Sequence, residues 1–136
     1  MKNEHSVAAI VYNKDEYLLL KYEMGHWGLV KGNVENDENE KQTIIRELEE
    51  ETGINDAQII EGFRENYEYY YKFKGNLIHK TVNCLLIESN EKDVKLSYEH
   101  TDYEWLPYDR ALERLSHENT QQILARAKNF ISNQGA

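Results

Sequence analysis

An acidic segment that follows a glycine-containing loop constrains this chain more than any other feature. Glu47, Glu50 and Glu51 stand at i, i+3 and i+4, the spacing that places side chains on one face of an α-helix. Like charges at this spacing repel, and each pair costs roughly 0.2–0.5 kcal/mol on an exposed helix. A hard divalent cation removes that penalty, because Mg²⁺ binds carboxylate oxygens, water and substrate phosphates. A solvated acidic helix face is the simpler alternative.

The residues around this triplet belong to a longer pattern. The segment 32–54 fits G-x5-E-x7-R-E-U-x-E-E-x-G-U, in which U is apolar. The fixed positions are Gly32, Glu38, Arg46, Glu47, Leu48, Glu50, Glu51, Gly53 and Ile54. At average residue usage such a match arises by chance well under roughly once in a million starts. On these residues the chain resembles the Nudix hydrolase family.

The resemblance implies both a fold and a metal site. The fold would be α+β, with a mixed β-sheet sandwiched between α-helices. The cofactor would be Mg²⁺, for which Mn²⁺ can substitute. Glu47, Glu50 and Glu51 would bind the metal, and Arg46 would hold a neighbouring carboxylate in place. An ordinary surface arginine is the alternative for Arg46.

Three further patches resemble one branch of that family, the asymmetrically cleaving diadenosine tetraphosphate hydrolases. They are HW-x-x-x-KG-x-VE at 26–35, IIEGF at 59–63 and LS-x-EH-x-x-Y-x-WL at 96–106. This resemblance implies that Glu99 lies near the metal and His26 beside the phosphate path. It also implies that Tyr71 and Lys80 contact adenine and phosphate. The general base stays open among Glu47, Glu50 and Glu99.

Two residues before the helix are candidates for phosphate binding. Lys31 offers a compact positive charge. Gly32 lets the backbone approach a ligand closely. A solvated lysine and a plain turn are the alternatives.

The segment 57–74 alternates with the period of a β-strand. The aromatic side chains on one face are Phe63, Tyr67, Tyr69, Tyr71 and Phe73. Such a stripe usually packs into the core, so Tyr70 on the polar face is the candidate for stacking on adenine. A β-bulge would transfer that role to Tyr69 or Tyr71.

The remaining pattern predicts a single domain over residues 1–136. We expect strands at 5–13, 16–23, 26–30, 57–74, 77–88 and 102–106, and helices at 38–52, 108–115 and 118–132. Asp37 is the expected N-cap of the first helix, with Glu40 at N3, and Gly53 the residue that ends it. Gly75 and Asn76 should turn the chain between the two long strands.

Charge and hydropathy restrict the partners. The formal net charge of −9 argues against nucleic acid, and allows a polyphosphate substrate only if cations bridge it to the protein. No apolar run approaches the roughly 20 residues of a membrane span, and no signal peptide is apparent. The single cysteine, Cys84, should be a buried thiol in a reducing compartment, the cytoplasm. We expect a monomer or a weak dimer.

The sequence thus predicts Mg²⁺-dependent hydrolysis of a nucleoside diphosphate linked to another moiety. The branch resemblance favours diadenosine tetraphosphate, cleaved to ATP and AMP. A nucleoside triphosphate and an RNA 5′ end are alternatives within the same chemistry. A Nudix-like module that binds a nucleotide without cleaving it is the alternative from another class.

Overall fold

The computed structural model describes residues 1–134. It contains a mixed eight-stranded sheet with helices on both faces. The last two residues of the expected domain, 135–136, lie outside the described part. The strands are β1 Lys2–Asn13, β2 Glu16–Tyr22, β3 Trp27–Gly28, β4 Val30–Asn33, β5 Ala57–Ile59, β6 Glu65–Phe73, β7 Asn76–Ser89 and β8 His100–Pro107. The helices are α1 Glu40–Thr52, α2 Tyr108–Arg114 and α3 Glu118–Gln134. This architecture confirms the predicted α+β class.

The sheet is built around the parallel pair of β1 and β7, which runs from Lys2 opposite Ile78 to Tyr12 opposite Glu88. The other pairings are antiparallel: β2 and β4 pair with β1, β3 and β8 with β2, and β5 and β6 with β7. The two central strands are therefore paired on both edges, and because the core packs against both of their faces, they carry long apolar runs.

Side-chain alternation along β1 divides the core into two layers. Val7, Ala9 and Val11 pack with the apolar stripe of α1, and this layer includes Ile44 and Leu48. Ala8 and its even-numbered neighbours pack instead with residues of α2 and α3. The sheet is thus sandwiched between helices, as the Nudix resemblance implied. No helix within residues 1–134 is long and apolar enough to cross a bilayer.

The start of α1 differs from the prediction. Its N-cap is Asn39 and not Asp37, and the helix begins at Glu40. The Asn39 side chain accepts a hydrogen bond from the Gln42 backbone N–H at 2.8 Å, and the Gln42 side chain accepts one from the Asn39 N–H at 2.9 Å. This reciprocal pair satisfies two backbone donors and so selects the capping residue. The end at Gly53 is as predicted, with a left-handed φ of 77°.

The predicted strand 57–74 is in fact two strands. Gly62, with a φ of 96°, lies between β5 and β6, and both strands pair with the longer β7. The hairpin between β6 and β7 turns at Lys74 and Gly75, one residue earlier than predicted, and both have positive φ. The segment 26–30 likewise divides into β3 and β4.

Candidate active site

Gly32 in β4 lies directly against α1. A Cβ atom added to Gly32 would stand 2.1 Å from the Glu47 carboxyl carbon, so no other residue allows this approach. The glycine at this position therefore has a packing reason, since it lets the acidic helix lie against β4. A contact between Gly32 and phosphate stays a prediction.

Arg46 holds the acidic face of α1 together. Its Nε donates to Glu38 Oε2 at 2.6 Å and its Nη2 to Glu38 Oε1 at 2.9 Å. Its Nη1 donates to Glu47 at 2.7 Å and to Glu50 at 3.2 Å. The two hydrogen bonds from Arg46 lower the pKa of Glu38 to about 2. Arg46 thereby fixes the carboxylates on both of its sides, and the structure explains why an arginine and a glutamate stand at these motif positions.

Glu51 is the buried member of the acidic triplet, with only 3% of its surface exposed. Burial, followed by a hydrogen bond to Glu47 and the charge of that residue, raises the pKa of Glu51 to about 10. The backbone N–H of Lys31 points to Glu51 Oε1 at 3.5 Å. His100 Nε2 lies 3.8 Å from the same oxygen, is buried and has no hydrogen-bond partner among the described residues.

The donor chemistry of this region fits a hard cation. Two carboxyls in contact, one of them buried, must share a proton or a positive ion, because both cannot ionise side by side. Glu50 is more exposed and accepts a hydrogen bond from Arg46, and Glu99 is exposed in the turn just before β8. Within residues 1–134 no three acidic, histidine or cysteine side chains converge to enclose an ion. The ligand set Glu47, Glu50, Glu51 and Glu99 therefore stays a prediction.

A cleft of about 650 Å³ opens on the face of the sheet that carries α3. It is lined by His26, Lys31, Tyr67, Tyr69, His117, Glu118, Asn119 and Thr120. The rings of Tyr67 and Tyr69 lie nearly parallel, 6.2 Å apart, and the Lys31 ammonium is 5.8 Å from the centre of the Tyr69 ring. The cleft thus combines an aromatic wall with a positive charge.

His26 lines this cleft as an uncharged side chain at neutral pH. Its ring stacks on Tyr22 at 4.5 Å and lies 5.4 Å from the ring of His117. Burial, then the charges of His117 and Lys31, lower the pKa of His26. No sequence pattern pointed to His117, which reaches the cleft only because α3 crosses this face of the sheet.

The other predicted substrate-binding residues are divided between the two faces of the sheet. Tyr70 points away from the cleft, because strand alternation is regular through β6, and it stacks on His79 at 4.7 Å. Tyr71 and Lys80 lie on the face of the cleft. The Tyr71 hydroxyl donates to Glu4 at 2.6 Å, and Lys80 Nζ donates to Asn33 at 3.0 Å. The structure therefore does not bring Tyr70 to the cleft, and it places Tyr67 and Tyr69 there instead.

Comparisons with known proteins identify the family and the fold. The model of the NUDIX domain matches residues 2–127. The chain is 36% identical over 133 residues to the asymmetrical bis(5′-nucleosyl)-tetraphosphatase of Rattus norvegicus, covering 93% of this chain and 88% of that protein. It is 28% identical over 136 residues to dihydroneopterin triphosphate diphosphatase of Haemophilus influenzae, covering 90% of this chain and 86% of that one. The crystal structure of a C. elegans Ap4A hydrolase binary complex matches with a TM-score of 0.83 and 29% identity, covering 96% and 98% of the two chains.

Proposed function

Because this chain belongs to the Nudix family and is a Nudix hydrolase, we propose that it hydrolyses diadenosine tetraphosphate to ATP and AMP with Mg²⁺. Nudix hydrolases generally need a divalent cation and act on nucleoside diphosphate derivatives. The names of the Rattus norvegicus relative and of the C. elegans structure support this substrate.

The position of Lys31 carries the proposal. Its backbone N–H points to the buried Glu51, while its side chain reaches the Tyr69 ring in the cleft. One residue therefore joins the carboxylates, where a cation would bind, to an aromatic wall suited to a nucleobase. A phosphate chain between the two ends would meet the Lys31 ammonium on its path. This arrangement offsets locally the net charge of −9, which would otherwise repel a polyphosphate.

The side chains of this region would divide the reaction among them. Glu47, Glu50, Glu51 and Glu99 would hold Mg²⁺, which polarises the phosphate and lowers the pKa of an attacking water. The water oxygen bonds to phosphorus as the phosphoanhydride P–O bond breaks, and ATP and AMP leave. Arg46 keeps Glu47 and Glu50 oriented. The general base is one of Glu47, Glu50 and Glu99.

Lys31 and the wall of the cleft would bind the rest of the substrate. Lys31 would neutralise phosphate oxygens, and an adenine would lie against Tyr67 or Tyr69, where a base stack contributes about 1–3 kcal/mol. The uncharged His26 can accept or donate one hydrogen bond along the same path. We place this enzyme in the cytoplasm, because its single cysteine, Cys84, has no second cysteine in the chain with which to form a disulfide, as is usual for proteins of a reducing compartment.

A nucleoside triphosphate is the second candidate substrate. A cleft of about 650 Å³ is within the usual size of a site for one small ligand, and one relative is named for a pterin triphosphate. An RNA 5′ end is disfavoured by the negative charge of the chain. A binding module without catalysis is disfavoured by the complete acidic motif.

The decisive experiment incubates the pure chain with a nucleotide panel and Mg²⁺, and separates the products by chromatography. We expect ATP and AMP from diadenosine tetraphosphate at a higher kcat/KM than for any triphosphate. Glu51→Gln should lower kcat by about 10²-fold or more, since removing one well-placed electrostatic group often has that effect. Glu49→Gln, on an exposed position of the same helix, is the matched control and should retain activity. Absence of turnover of every phosphoanhydride would leave the binding module as the function.

A further inference from the structure

Strand β6 forms an open edge of the sheet. It pairs with β7 on one side, from Glu65 opposite Cys84 to Phe73 opposite Asn76. Within the described part of the chain, no strand pairs with its other side. An open edge of this length is a template for another strand, and proteins usually blunt such edges with prolines, bulges or charged side chains. β6 contains no proline, and its register with β7 is unbroken.

The hairpin geometry determines which backbone groups β6 offers. Lys74 and Gly75 form a two-residue turn in which both φ values are positive, 51° and 80°. Such a turn makes Phe73 and Asn76 a hydrogen-bonded pair, and bonding then alternates along the strand. The odd-numbered residues therefore bond to β7, and the even-numbered ones point their N–H and C=O groups outward. The outward residues are Asn66, Glu68, Tyr70 and Lys72.

These outward residues are self-complementary in charge. Antiparallel pairing of β6 with a second β6 requires outward residues to oppose outward residues, so the register can change only in steps of two. In the register with Tyr70 opposite Tyr70, Glu68 of each copy lies opposite Lys72 of the other. A shift of two residues places Tyr70 opposite Glu68 or Lys72 and breaks both charge pairs.

The opposite face of the strand fits the same register. Tyr69 then opposes Tyr71, and Tyr67 opposes Phe73, so that aromatic rings meet across the two chains. Cross-strand aromatic and opposite-charge pairs both stabilise antiparallel sheets. Tyr70 and Phe73, each 56% exposed, would lose contact with water on pairing.

We propose that two copies of this chain associate through β6 in antiparallel register centred on Tyr70, forming one continuous sheet across a two-fold axis. A contact of one strand buries less than the roughly 1,200–2,000 Å² of a stable interface, so the dimer is weak and depends on concentration. Because Tyr69 lines the cleft and Tyr71 of the second copy would lie opposite it, dimerisation would also extend the aromatic wall of each cleft.

Charge-reversal variants distinguish this register from any other contact between two copies of the chain. Glu68→Lys leaves lysine opposite Lys72 twice in the dimer, and Lys72→Glu leaves glutamate opposite Glu68 twice. Each single variant should weaken self-association about tenfold or more, measured by sedimentation equilibrium from about 10 µM to about 1 mM. An equimolar mixture of the two variants should associate at least as tightly as the original chain, because both charge pairs become complementary in the heterodimer.

The design contains its own controls. Recovery in the mixture shows that both single variants are folded, and Glu113→Lys, an exposed reversal on α2, should leave association unchanged.

In a second measurement, Tyr70→Cys should form a disulfide-linked dimer on oxidation, since hydrogen-bonded partners lie about 5.5 Å apart at Cα. Met24→Cys, at a position 93% exposed and outside β6, should not. A chain that stays monomeric at about 1 mM, or a mixture that associates no better than its components, would overturn the proposal.

Discussion

Tyr69 and Tyr70 are neighbours in sequence and face opposite sides of the sheet. Tyr69 is half-buried beside Lys31 in the cleft, whereas Tyr70 is 56% exposed and stacks on His79. The two tyrosines therefore face different environments, because successive side chains of a β-strand point to opposite faces of the sheet. We therefore expect adenine to stack on the side of β6 that carries Tyr67 and Tyr69.

This difference leads to a paired prediction. Tyr69→Leu keeps apolar bulk and removes the aromatic ring, so KM for diadenosine tetraphosphate should rise about 5–100-fold, the equivalent of one stack. Tyr70→Leu is the matched control and should change KM less than about threefold. Steady-state kinetics on both variants, with melting curves to verify folding, provide the measurement. A larger effect at Tyr70 than at Tyr69 would return the stacking role to the residue that the sequence favoured.

At the scale of elements, α1 is held in place by interactions at each end and along one face. Its first turn is capped by Asn39, its last turn ends at Gly53, and Gly32 of β4 allows Glu47 to approach. Arg46 then links the acidic face to Glu38, which lies outside the helix. The position of the carboxylates is therefore a property of α1 and β4 together.

The role of Asn39 as the N-cap of α1 can be tested by measuring stability alone. Asn39→Ala removes the side-chain acceptor for the Gln42 N–H and should lower the free energy of unfolding by about 1 kcal/mol. Asp37→Ala, at the position that the sequence favoured, should change it by less than about 0.5 kcal/mol. Urea denaturation at neutral pH measures both. Equal losses would show that Asp37 contributes to the helix start.

At the scale of the whole molecule, folding buries an acid that the unfolded chain exposes to water. Burial and Glu47 raise the pKa of Glu51 from 4.5 to about 10. Between these values the folded chain keeps a proton that the unfolded chain releases, so the free energy of unfolding falls as pH rises. A cation bound at the same carboxylates would replace the proton and reverse that loss.

The corresponding prediction concerns melting temperature. Without divalent metal, the chain should lose stability steadily from pH 5 to pH 9, roughly the interval between the two pKa values, and Glu51→Gln should flatten this dependence. At pH 8, Mg²⁺ or Mn²⁺ should raise the melting temperature of the original chain more than that of the variant. Differential scanning calorimetry with and without chelator provides both curves. If the melting temperatures of the two proteins changed with pH in parallel, the raised pKa of Glu51 would be contradicted.

Features that depend on local spacing could be predicted from the sequence. The acidic motif, the helix it lies on, the end at Gly53 and the alternation of β6 all follow from periods of 3.6 or 2 and from single-residue preferences. The family and the reaction class followed from the same run of residues, because its chemistry is contained within 23 consecutive positions, from Gly32 to Ile54.

The residues that share the cleft are distant in sequence, and long-range packing brings them together. β7 is long enough to pair with both β5 and β6, and this divides the segment that appeared as one strand. Because α3 packs on one face of the sheet, His117 lies in the cleft with Lys31 and Tyr69, whereas Tyr70 lies outside the cleft. The burial of Glu51 likewise depends on the packing of α1 against β4. These features arise from contacts between residues far apart in the chain, which no local pattern encodes.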